Sequence, residues 1–508
     1  MAATNLNIDI PIKDKGLIRS PILWGLMAIS LALSLTLAYL LDIRFDEAFT
    51  LNTTSQGVVY AFHQAIKFEQ QAPLYFVILS IWRNADSSIL FARLFSVLCF
   101  PFTVWVSAEV AKRYVKKVNP LVAAAVVALH QQVVWSSLDI RLYSFMTLLS
   151  GLLFLFFYDG YLAEKPQTRS RIFYIIVATL ALYTQYYLGF QLVAGAAALL
   201  AVRGWRPLRQ YVIDMSIVGV FFLPMVFVIV GQVSAVGDRT YDPPSIFLLL
   251  NGLYQQIVSL FLSVNWIETE TLKRWFVRVV ILVIGMMFLR KIVSERKRED
   301  LALAVITAVL IAIFLVTYHF LGDEGLQQRH MSGLILPLVL LPLSALSFFN
   351  SKKIIYGWLT LVVFLNIGSL VDAYRPMAKP GDFRRVAQYV MANEAPNQPV
   401  LVFHSDAVLA LAYYYKGQNK LVAIPQENDF DEWNPRNNVL TDEAQVLNVI
   451  NKQPNNPERF WLVSDGWCAQ GSLSYNCDVL EDIVTKYFDV ERSQDFLEPT
   501  TVRLLRRK

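Results

Sequence analysis

Long apolar runs separated by short polar segments fill the first three quarters of the chain. An α-helix needs about 20 consecutive apolar residues to cross a lipid bilayer. The predicted spans are residues 22–41, 89–111, 120–136, 141–158, 172–185, 187–202, 211–231, 275–290, 301–320, 331–348 and 353–371. The pattern therefore predicts a polytopic α-helical membrane protein with about eleven transmembrane helices.

The hydrophobic pattern changes at about residue 376, where apolar runs shorten to strand length and alternate with helix-like segments. The predicted strands are residues 399–403, 420–424 and 460–465, and the predicted helices are residues 406–417 and 474–487. This alternation is typical of a small α/β domain. We therefore divide the chain into a transmembrane domain, residues 1–375, and a C-terminal α/β domain, residues 376–508. The second has no GxGxxG sequence or P-loop, so we assign it no nucleotide.

Composition excludes a soluble globular protein. Hydrophobic residues make up 55% of the 508 residues and charged residues only 17%, as expected for an integral membrane protein. The net charge of +5 comes from Lys and Arg in short loops, and no basic and aromatic surface of the kind that binds nucleic acid is visible. The first apolar run lacks the cleavage site of a secretory signal, so we expect it to be retained as a helix.

The basic loops set the expected orientation, because short loops rich in Lys and Arg usually face the cytoplasm. These loops lie at residues 112–117, 164–171, 203–209, 290–300 and 351–353. The opposite, outer side then holds Asp46, the loops at residues 137–140, 231–271 and 319–330, and the C-terminal domain. We expect a multi-pass protein of the plasma (inner) membrane whose C-terminal domain is extracytoplasmic.

The apolar run at residues 73–82 is predicted not to cross the membrane. It is shorter than the ~20 residues that a crossing needs, and a crossing would place the basic loop at residues 112–117 outside. We therefore expect residues 54–84 to form juxtamembrane helices in the first outer loop. Tyr75 and Trp82 would be their interfacial anchors.

An acidic pair, Asp46 and Glu47, directly follows the first apolar run in the sequence RFDEAFT at residues 44–50. Ionisable groups close to a bilayer are costly and often functional. Two carboxylates at the mouth of a membrane helix therefore suggest chemistry at the membrane surface. The alternative is a solvated loop that carries two acids.

Two of the three cysteines, Cys468 and Cys477, lie in the C-terminal domain. On an oxidising outer side they are candidates for a disulfide, and the alternative is two unpaired thiols. Cys99 lies within a predicted span, where we expect it only to pack.

Several short motifs, taken in order, resemble the C-type (GT-C) membrane glycosyltransferases. They are the acidic pair, APLYF at residues 72–76, SSLDIRLYS at 136–144, YTQYY at 183–187, Arg329-His330 before a proline-containing span, and DFRRVAQYV at 382–390. The nearest branch contains protein O-mannosyltransferases, aminoarabinose transferases to lipid A and bacterial family 39 enzymes. That branch often has His-Pro-Pro at residues 71–73, His at Gln185 and Tyr at His330. These differences bear on the identity of the acceptor more than on the type of reaction.

The resemblance implies an enzyme that takes a sugar from a polyprenyl-phosphate lipid on the outer leaflet. Such a reaction needs a base for the acceptor hydroxyl and cations for the departing phosphate. Asp46 is the candidate base, because repulsion by Glu47 and desolvation would raise its pKa toward a useful value. Glu47 either orients Asp46 or the acceptor, or is a structural partner of Arg44.

Arg141, Tyr143, Arg329 and His330 are the candidates for binding the donor phosphate. The planar guanidinium of Arg141, at the outer start of a span, can bind two phosphate oxygens. The alternative is an arginine that reaches the interface or pairs with Asp139. Tyr143 either bonds to the same phosphate or is an interfacial tyrosine. Arg329 and His330 suit a second phosphate clamp, and for His330 a capping or packed histidine is the alternative.

Asp139 bears on the need for a metal. Oligosaccharyltransferases of the resembled fold hold a divalent cation with carboxylates from the first and second outer loops, and Asp46 with Asp139 could do the same. The mannosyltransferase-like branch is thought to work without one, and Arg141 beside Asp139 could supply positive charge instead. We therefore favour no metal cofactor and keep a divalent cation as the alternative.

We interpret the sequence as an inverting glycosyltransferase that moves a hexosyl or pentosyl group from a polyprenyl-phosphate donor to an acceptor on the outer face. The acceptor is a glycolipid, a polysaccharide or a protein hydroxyl. The expected partners are this donor lipid and membrane lipids, with no nucleic acid. A flippase or transporter of lipid-linked sugars and a non-catalytic sugar-lipid binding protein are the alternatives. The clustering of candidate charges on one outer surface argues against a transporter.

Overall fold

Most of the described chain is α-helical. The computed structural model describes residues 17–236, 245–325, 327–470, 473–497 and 499–508. The helices before the C-terminal sheet are α1 (Pro21–Leu40), α2 (Phe45–Thr53), α3 (Val58–Lys67), α4 (Leu74–Arg83), α5 (Ile89–Tyr114), α6 (Leu121–Leu129), α7 (Gln131–Leu138), α8 (Tyr143–Phe157), α9 (Thr168–Thr184), α10 (Gly189–Arg203), α11 (Trp205–Val236), α12 (Ile246–Leu262), α13 (Glu270–Glu295), α14 (Arg298–Gly325), α15 (Ser332–Leu346) and α16 (Lys352–Tyr374). Short 3-10 helices lie at Leu17–Arg19, Tyr186–Leu188, Gln328–His330 and Ser347–Phe349, and a π-helical turn lies at Tyr158–Leu162.

Local capping signals fix where the first two long helices begin. The Ser20 hydroxyl accepts a hydrogen bond from the backbone N–H of Leu23 at 3.5 Å, and Pro21 occupies the first helical position of α1. The Ser88 hydroxyl caps α5 in the same way, accepting from Phe91 N at 3.2 Å. At ~1.5 Å per residue, the 26 residues of α5 are long enough to cross a bilayer. Ser88 and Lys112 therefore lie toward opposite ends of the bundle.

The expected fold class is confirmed, although the number of spans agrees only roughly. Among the described residues, eight helices are long and apolar enough to cross a membrane, and one bent pair would make nine. The predicted spans at residues 172–185 and 275–290 fall on α9, which has 17 residues, and on α13, which carries several charged residues. Both segments are helical, as predicted. Neither helix, however, is among the eight that are long and apolar enough to cross a membrane.

The predicted span at residues 120–136 consists of two helices, α6 and α7, which together are long and apolar enough to cross a membrane. The chain bends there by 56° between α6 and α7. His130 lies at the bend with its Nε2 atom 2.8 Å from the Leu260 carbonyl oxygen, and Gln131 N donates to Asn366 Oδ1 at 3.0 Å. Because these partners lie far along the chain, the bend has no local signal in the sequence.

The segment at residues 231–271, expected as an outer loop, contains the apolar helix α12 of 17 residues. Ser263, just after this helix, donates a hydrogen bond to Asn366 Oδ1 of α16 at 2.9 Å. The segment therefore packs against the bundle as a helix and is not simply a connecting loop.

Three short helices, α2, α3 and α4, form the first loop. The helices α3 and α4 lie within residues 54–84, as predicted, whereas α2 precedes that range and was not predicted. The ten residues of α4 span about 15 Å, which is too short to cross a bilayer. The Trp82 indole stacks on Phe91 with ring centroids 4.9 Å apart. The expectation that Tyr75 is an interfacial anchor is wrong, because its side chain is fully buried edge-on against Phe76.

This arrangement makes a topological prediction. Cysteines introduced at the exposed positions Ser55 and Ser87 should both be labelled from the same side of the membrane. A cysteine at Lys116, whose side chain is 60% exposed, should be labelled only from the other side. Accessibility labelling of intact and permeabilised vesicles measures this. Labelling of Ser55 and Ser87 from opposite sides would mean that α4 crosses the membrane.

The predicted α/β pattern beyond α16 is confirmed. Its elements are α17 (Phe383–Asn393), β1 (Val400–Phe403), α18 (Ala407–Tyr414), β2 (Leu421–Ala423), α19 (Glu443–Asn451), β3 (Arg459–Ser464), β4 (Ala469–Gln470), β5 (Leu473–Ser474), α20 (Cys477–Tyr487), β6 (Phe488–Asp495) and β7 (Thr501–Arg507), with a 3-10 helix at Pro435–Asn438. The main sheet has the strand order β2-β1-β3-β7-β6. Strands β2, β1 and β3 are parallel, and β3, β7 and β6 are antiparallel.

The apolar strands β1, β2 and β3 lie where the sequence predicts them, and β6 and β7 were not predicted. Strand β6 has the sequence FDVERSQD and is exposed along most of its length, so it lacks the apolar run of a buried strand. Cys468 and Cys477 form the predicted disulfide. Cys99 is a free, buried thiol in α5, as expected.

Candidate active site

The acidic pair lies in the first turn of α2, where the helix dipole favours negative charge. Glu47 Oε2 accepts a hydrogen bond from the backbone N–H of Arg44 at 3.0 Å, which caps the helix. Consecutive residues on an α-helix point about 100° apart. The two carboxylates therefore face different surroundings, although they are adjacent in sequence.

Asp46 faces a cluster of arginines and remains partly open, with 17% of its side chain exposed. Arg329 Nη1 donates to Asp46 Oδ2 at 2.7 Å, and Arg141 Nη1 lies 3.4 Å from the Asp46 carbonyl oxygen. Burial alone would raise the pKa of Asp46, but the charges of Arg329, Arg141 and Arg44 outweigh burial and hold the pKa well below its usual range. The expectation that the pKa of Asp46 is raised is therefore wrong for the free protein.

Glu47 is fully buried and serves as an anchor inside the protein. Arg93 Nη2 donates to Glu47 Oε1 at 2.8 Å, Lys379 Nζ donates to Oε2 at 2.6 Å, and the Ile140 N–H donates to Oε1 at 3.1 Å. Burial opposes ionisation, yet Arg93 and Lys379 lower the pKa of Glu47 to about 2. The Glu47 carboxylate is therefore occupied by Arg93 and Lys379, and we do not propose it as the base.

Arg141 is only 5% exposed and pairs with Glu69, an acid that was not predicted as a site residue. Its Nη1 atom forms a short salt bridge with Glu69 Oε2 and donates to Thr50 Oγ1 at 2.9 Å. The alternative pairing with Asp139 is wrong, because Asp139 pairs with Lys379. Burial raises the pKa of Glu69 against the opposing charge of Arg141.

Tyr143 and His330 lie in the same cluster. The Arg329 guanidinium lies 5.6 Å from the centroid of the Tyr143 ring, a cation–π distance. The His330 ring packs 6.2 Å from Tyr143 and stacks on Tyr187 at 5.1 Å. The structure thus brings Arg141, Tyr143, Arg329 and His330 together, as the sequence predicts.

The two carboxylates considered as metal ligands do not meet. Asp46 faces Arg329, whereas buried Asp139 accepts a hydrogen bond from Lys379 Nζ at 2.7 Å. Within the part of the chain that the structure describes, no group of three or more His, Cys, Asp or Glu residues could hold a metal ion. Asp46 and Asp139 therefore do not fit a shared divalent cation.

Three charged residues that support the site were not predicted, namely Glu69, Arg93 and Lys379. Arg93 had a signal, because a cation inside an otherwise apolar span usually has a buried partner. Glu69 and Lys379 lie in polar segments of ordinary composition. Their partners are distant in sequence, so no local pattern marks them.

Asp42, next to this network, gives a pH-dependent prediction. It is 2% exposed, its Oδ1 accepts from the backbone N–H of Lys379 at 2.7 Å, and its Oδ2 is buried without a hydrogen-bond partner among the described residues. Burial raises the pKa of Asp42 from 3.8 to about 6, against the effect of Lys379. Because this pKa is raised on folding, the protonated form favours the folded state, and this stability is lost as the pH rises from about 3.8 to about 6.

We therefore expect Asp42→Asn to raise the melting temperature clearly more at pH 8 than at pH 5, because at pH 5 only about half of the stability has been lost. The stabilisation at pH 8 should be on the order of 3 kcal/mol, at about 1.36 kcal/mol per pKa unit. Thermal unfolding at both pH values measures this, with the exposed Asp86→Asn as control. An equal effect of Asp42→Asn at the two pH values would contradict the assignment.

The helical bundle, the short helices of its first loop and the C-terminal sheet together define the GT-C fold of membrane glycosyltransferases. In particular, the chain is similar to the aminoarabinose transferase ArnT from Cupriavidus metallidurans in the apo state, with a TM-score of 0.59, 12% identity, and coverage of 95% of this chain and 98% of that one. The same protein bound to undecaprenyl phosphate gives a TM-score of 0.58, 13% identity, and coverage of 96% and 98%.

A more distant likeness is to the oligosaccharyltransferase of Archaeoglobus fulgidus in complex with Zn and sulfate. Its TM-score is 0.46, with 12% identity and coverage of 87% of this chain and 67% of that one. No family model and no curated protein matches the sequence. At 12% identity the likeness to ArnT is one of fold, and it confirms the predicted GT-C fold.

Proposed function

We propose that the protein is a glycosyltransferase that moves one sugar from a polyprenyl-phosphate donor to an acceptor hydroxyl, with inversion at the anomeric carbon. The observation that carries the proposal is the partly exposed Asp46 carboxylate beside the guanidinium groups of Arg329 and Arg141. This reaction needs a carboxylate that accepts a proton next to cations that bind phosphate.

In the proposed reaction, the acceptor oxygen forms a bond to the anomeric carbon and its proton passes to Asp46. The bond from the anomeric carbon to the phosphate oxygen breaks, and its electron pair leaves with the lipid phosphate. A single displacement of this kind inverts the anomeric configuration. A double displacement would need a second accessible carboxylate, and Glu47 is fully buried between Arg93 and Lys379.

Donor binding would replace two ion pairs of the free protein with contacts between the arginines and the donor phosphate. Arg329 pairs with Asp46, and Arg141 pairs with Glu69. A phosphate between the two arginines would attract both of them, because one guanidinium group can donate two parallel hydrogen bonds to two phosphate oxygens. Once Arg329 faces the phosphate, its charge stabilises ionised Asp46 less, so Asp46 becomes a stronger base. Tyr143 would help to hold Arg329 in this position.

A lipid donor fits the position of the cluster beside the membrane helices. ArnT, which has the same fold, binds undecaprenyl phosphate. Following the basic loops, we propose that the site faces away from the cytoplasm in the plasma (inner) membrane. The proposed acceptor is a hydroxyl of a glycolipid, a polysaccharide or a protein.

The test uses purified protein in lipid nanodiscs, a panel of labelled polyprenyl-phosphate sugars and an extract of envelope glycolipids and glycans as acceptors. The expected result is release of lipid phosphate with at least one donor, and a product of inverted anomeric configuration by NMR. Asp46→Asn protein is the matched control. Donor binding without cleavage would indicate a binding protein, and movement of intact donor across vesicle bilayers would indicate a flippase. Either result would overturn the proposal.

A further inference from the structure

Lys379 lies in the segment between α16 and α17 and is almost completely buried, with 4% exposure. Its Nζ atom donates to Glu47 Oε2 at 2.6 Å, to Asp139 Oδ1 at 2.7 Å and to the Leu138 carbonyl oxygen at 2.9 Å. An ammonium group has three donors. All three of the Lys379 donors are therefore used by oxygen atoms from two separate parts of the chain.

Such a buried cation is stable only because it is fully paired. A charged amine removed from water is costly unless opposite charges and hydrogen bonds compensate for the lost hydration. Here two carboxylates compensate it, and Arg93 holds the other oxygen of Glu47. Among the described residues, Lys379 forms the ion pair with Asp139, whereas Arg93 interacts with Asp139 only at longer range.

We propose that the Lys379 ammonium takes the place of a divalent cation between Glu47 and Asp139, and so positions Asp46 relative to Arg141. The proposal rests on the function proposed above. Asp46 is the sequence neighbour of Glu47, and Arg141 lies two residues after Asp139. Lys379 fixes both neighbours at once, so it is a positioning residue that acts through Glu47 and Asp139.

The same contacts connect the C-terminal domain to the site. The backbone N–H of Lys379 donates to Asp42 Oδ1 at 2.7 Å. In the same turn, the backbone N–H of Ile43 donates to the hydroxyl oxygen of Tyr414 in α18 at 2.8 Å. The segment that leads into the C-terminal domain is thus held against the turn between α1 and α2. A change at Lys379 should therefore disturb the site without removing any group that touches the substrate.

The first experiment measures metal binding and needs no sugar transfer. Mn²⁺ prefers oxygen ligands, and Lys379→Ala would leave Glu47, Asp139 and the Leu138 carbonyl around an empty space. By EPR titration we expect no stoichiometric Mn²⁺ binding to metal-free wild type, one bound ion in Lys379→Ala, and none in Lys379→Ala/Asp139→Asn. Stoichiometric binding to wild type that Asp139→Asn abolishes would overturn the proposal, and so would a folded Lys379→Ala protein that binds no Mn²⁺.

The second experiment measures transfer kinetics. A displacement of about 1 Å at a reacting group can cost ~10²-fold in rate, so Lys379→Met should lower kcat by about that factor and change the donor KM little. Lys379→Arg should recover part of kcat, and Mn²⁺ should partly restore Lys379→Ala. The control is Lys291→Met, which removes another buried lysine, paired with Asp300 at 2.9 Å and remote from the site. Lys291→Met should alter stability, and added Mn²⁺ should change its transfer rate no more than it changes that of wild type.

The two proposals fail in different ways. A wild-type protein that cleaves no donor would refute the proposed function, and the EPR titration would still test Lys379. Normal kcat in well-folded Lys379→Met would overturn the positioning role of Lys379 while leaving the proposed function intact. If Lys379→Ala does not fold, Lys379→Met/Asp139→Asn removes both charges, and its kcat should be as low as that of Lys379→Met.

Discussion

Replacement of Asp46 by asparagine is expected to lower sugar transfer by ~10²-fold or more, the usual loss when a general base is removed, while the donor lipid remains bound. Asparagine keeps the size and hydrogen-bonding capacity of Asp46 but cannot take up the acceptor proton. Because it also frees Arg329 from its ion pair, donor affinity should stay equal to that of wild type or increase. Transfer rate and equilibrium donor binding are measured on the same preparation.

The pH dependence of the wild-type reaction should report the same residue. In the free protein the pKa of Asp46 is held well below its usual range, because Arg329, Arg141 and Arg44 outweigh the effect of burial. The base must be ionised, so kcat/KM should stay constant as the pH falls to the usual carboxyl range and decrease only below it. With the donor phosphate engaging Arg329, the acid limb of kcat should lie at higher pH than that of kcat/KM.

One control variant and two contrary outcomes make the Asp46 result decisive. Asp86→Asn changes an exposed aspartate in the loop before α5 and should leave transfer unchanged. If well-folded Asp46→Asn keeps near wild-type transfer, Asp46 is not the base, and Glu69 is the next carboxylate to test because it contacts Arg141. If EDTA abolishes wild-type transfer and divalent ions restore it, Asp46 is a metal ligand instead.

The apolar runs predicted most of the fold because each transmembrane helix must be apolar along its own length. Basic loops then predicted that Asp46, Arg141 and Arg329 share one side of the bundle, and the structure brings them into contact. The bend at His130 was not predictable in this way. It depends on the Leu260 carbonyl, whose position is set by tertiary packing.

The chemistry of the acidic pair was predicted less well than its position. Adjacency in sequence suggested that Asp46 and Glu47 repel each other in one cavity. The helical rotation between them sends Glu47 into the protein, where Arg93 and Lys379 neutralise it, and leaves Asp46 facing Arg329. The direction of a pKa shift depends on these long-range ion pairs, and a local sequence pattern does not contain them.

Replacement of Arg141 by alanine is expected to weaken donor binding as well as turnover. Hydrogen bonds to charged groups contribute about 1.5–3 kcal/mol each, so the loss of the guanidinium should raise the donor Kd about 10- to 100-fold. The same variant leaves Glu69 buried without its cation, which would also lower stability. Arg141→Ala/Glu69→Gln removes both charges and separates the two effects. Donor binding is measured with labelled polyprenyl-phosphate sugar in nanodiscs, next to a thermal unfolding curve.

The control for Arg141 is Arg171→Ala, which removes an arginine that pairs with Asp214 at 2.8 Å, away from the site. It should leave donor affinity unchanged. We expect the double variant to be more stable than Arg141→Ala, because no unpaired carboxylate remains buried, and to bind the donor as weakly as Arg141→Ala does. Arg141→Lys keeps the charge without the planar fork, so its affinity should lie between those of wild type and Arg141→Ala. Wild-type affinity in a stable Arg141→Ala/Glu69→Gln protein would show that Arg141 serves only to neutralise Glu69, and Arg329 would then be the sole phosphate ligand of the proposed pair.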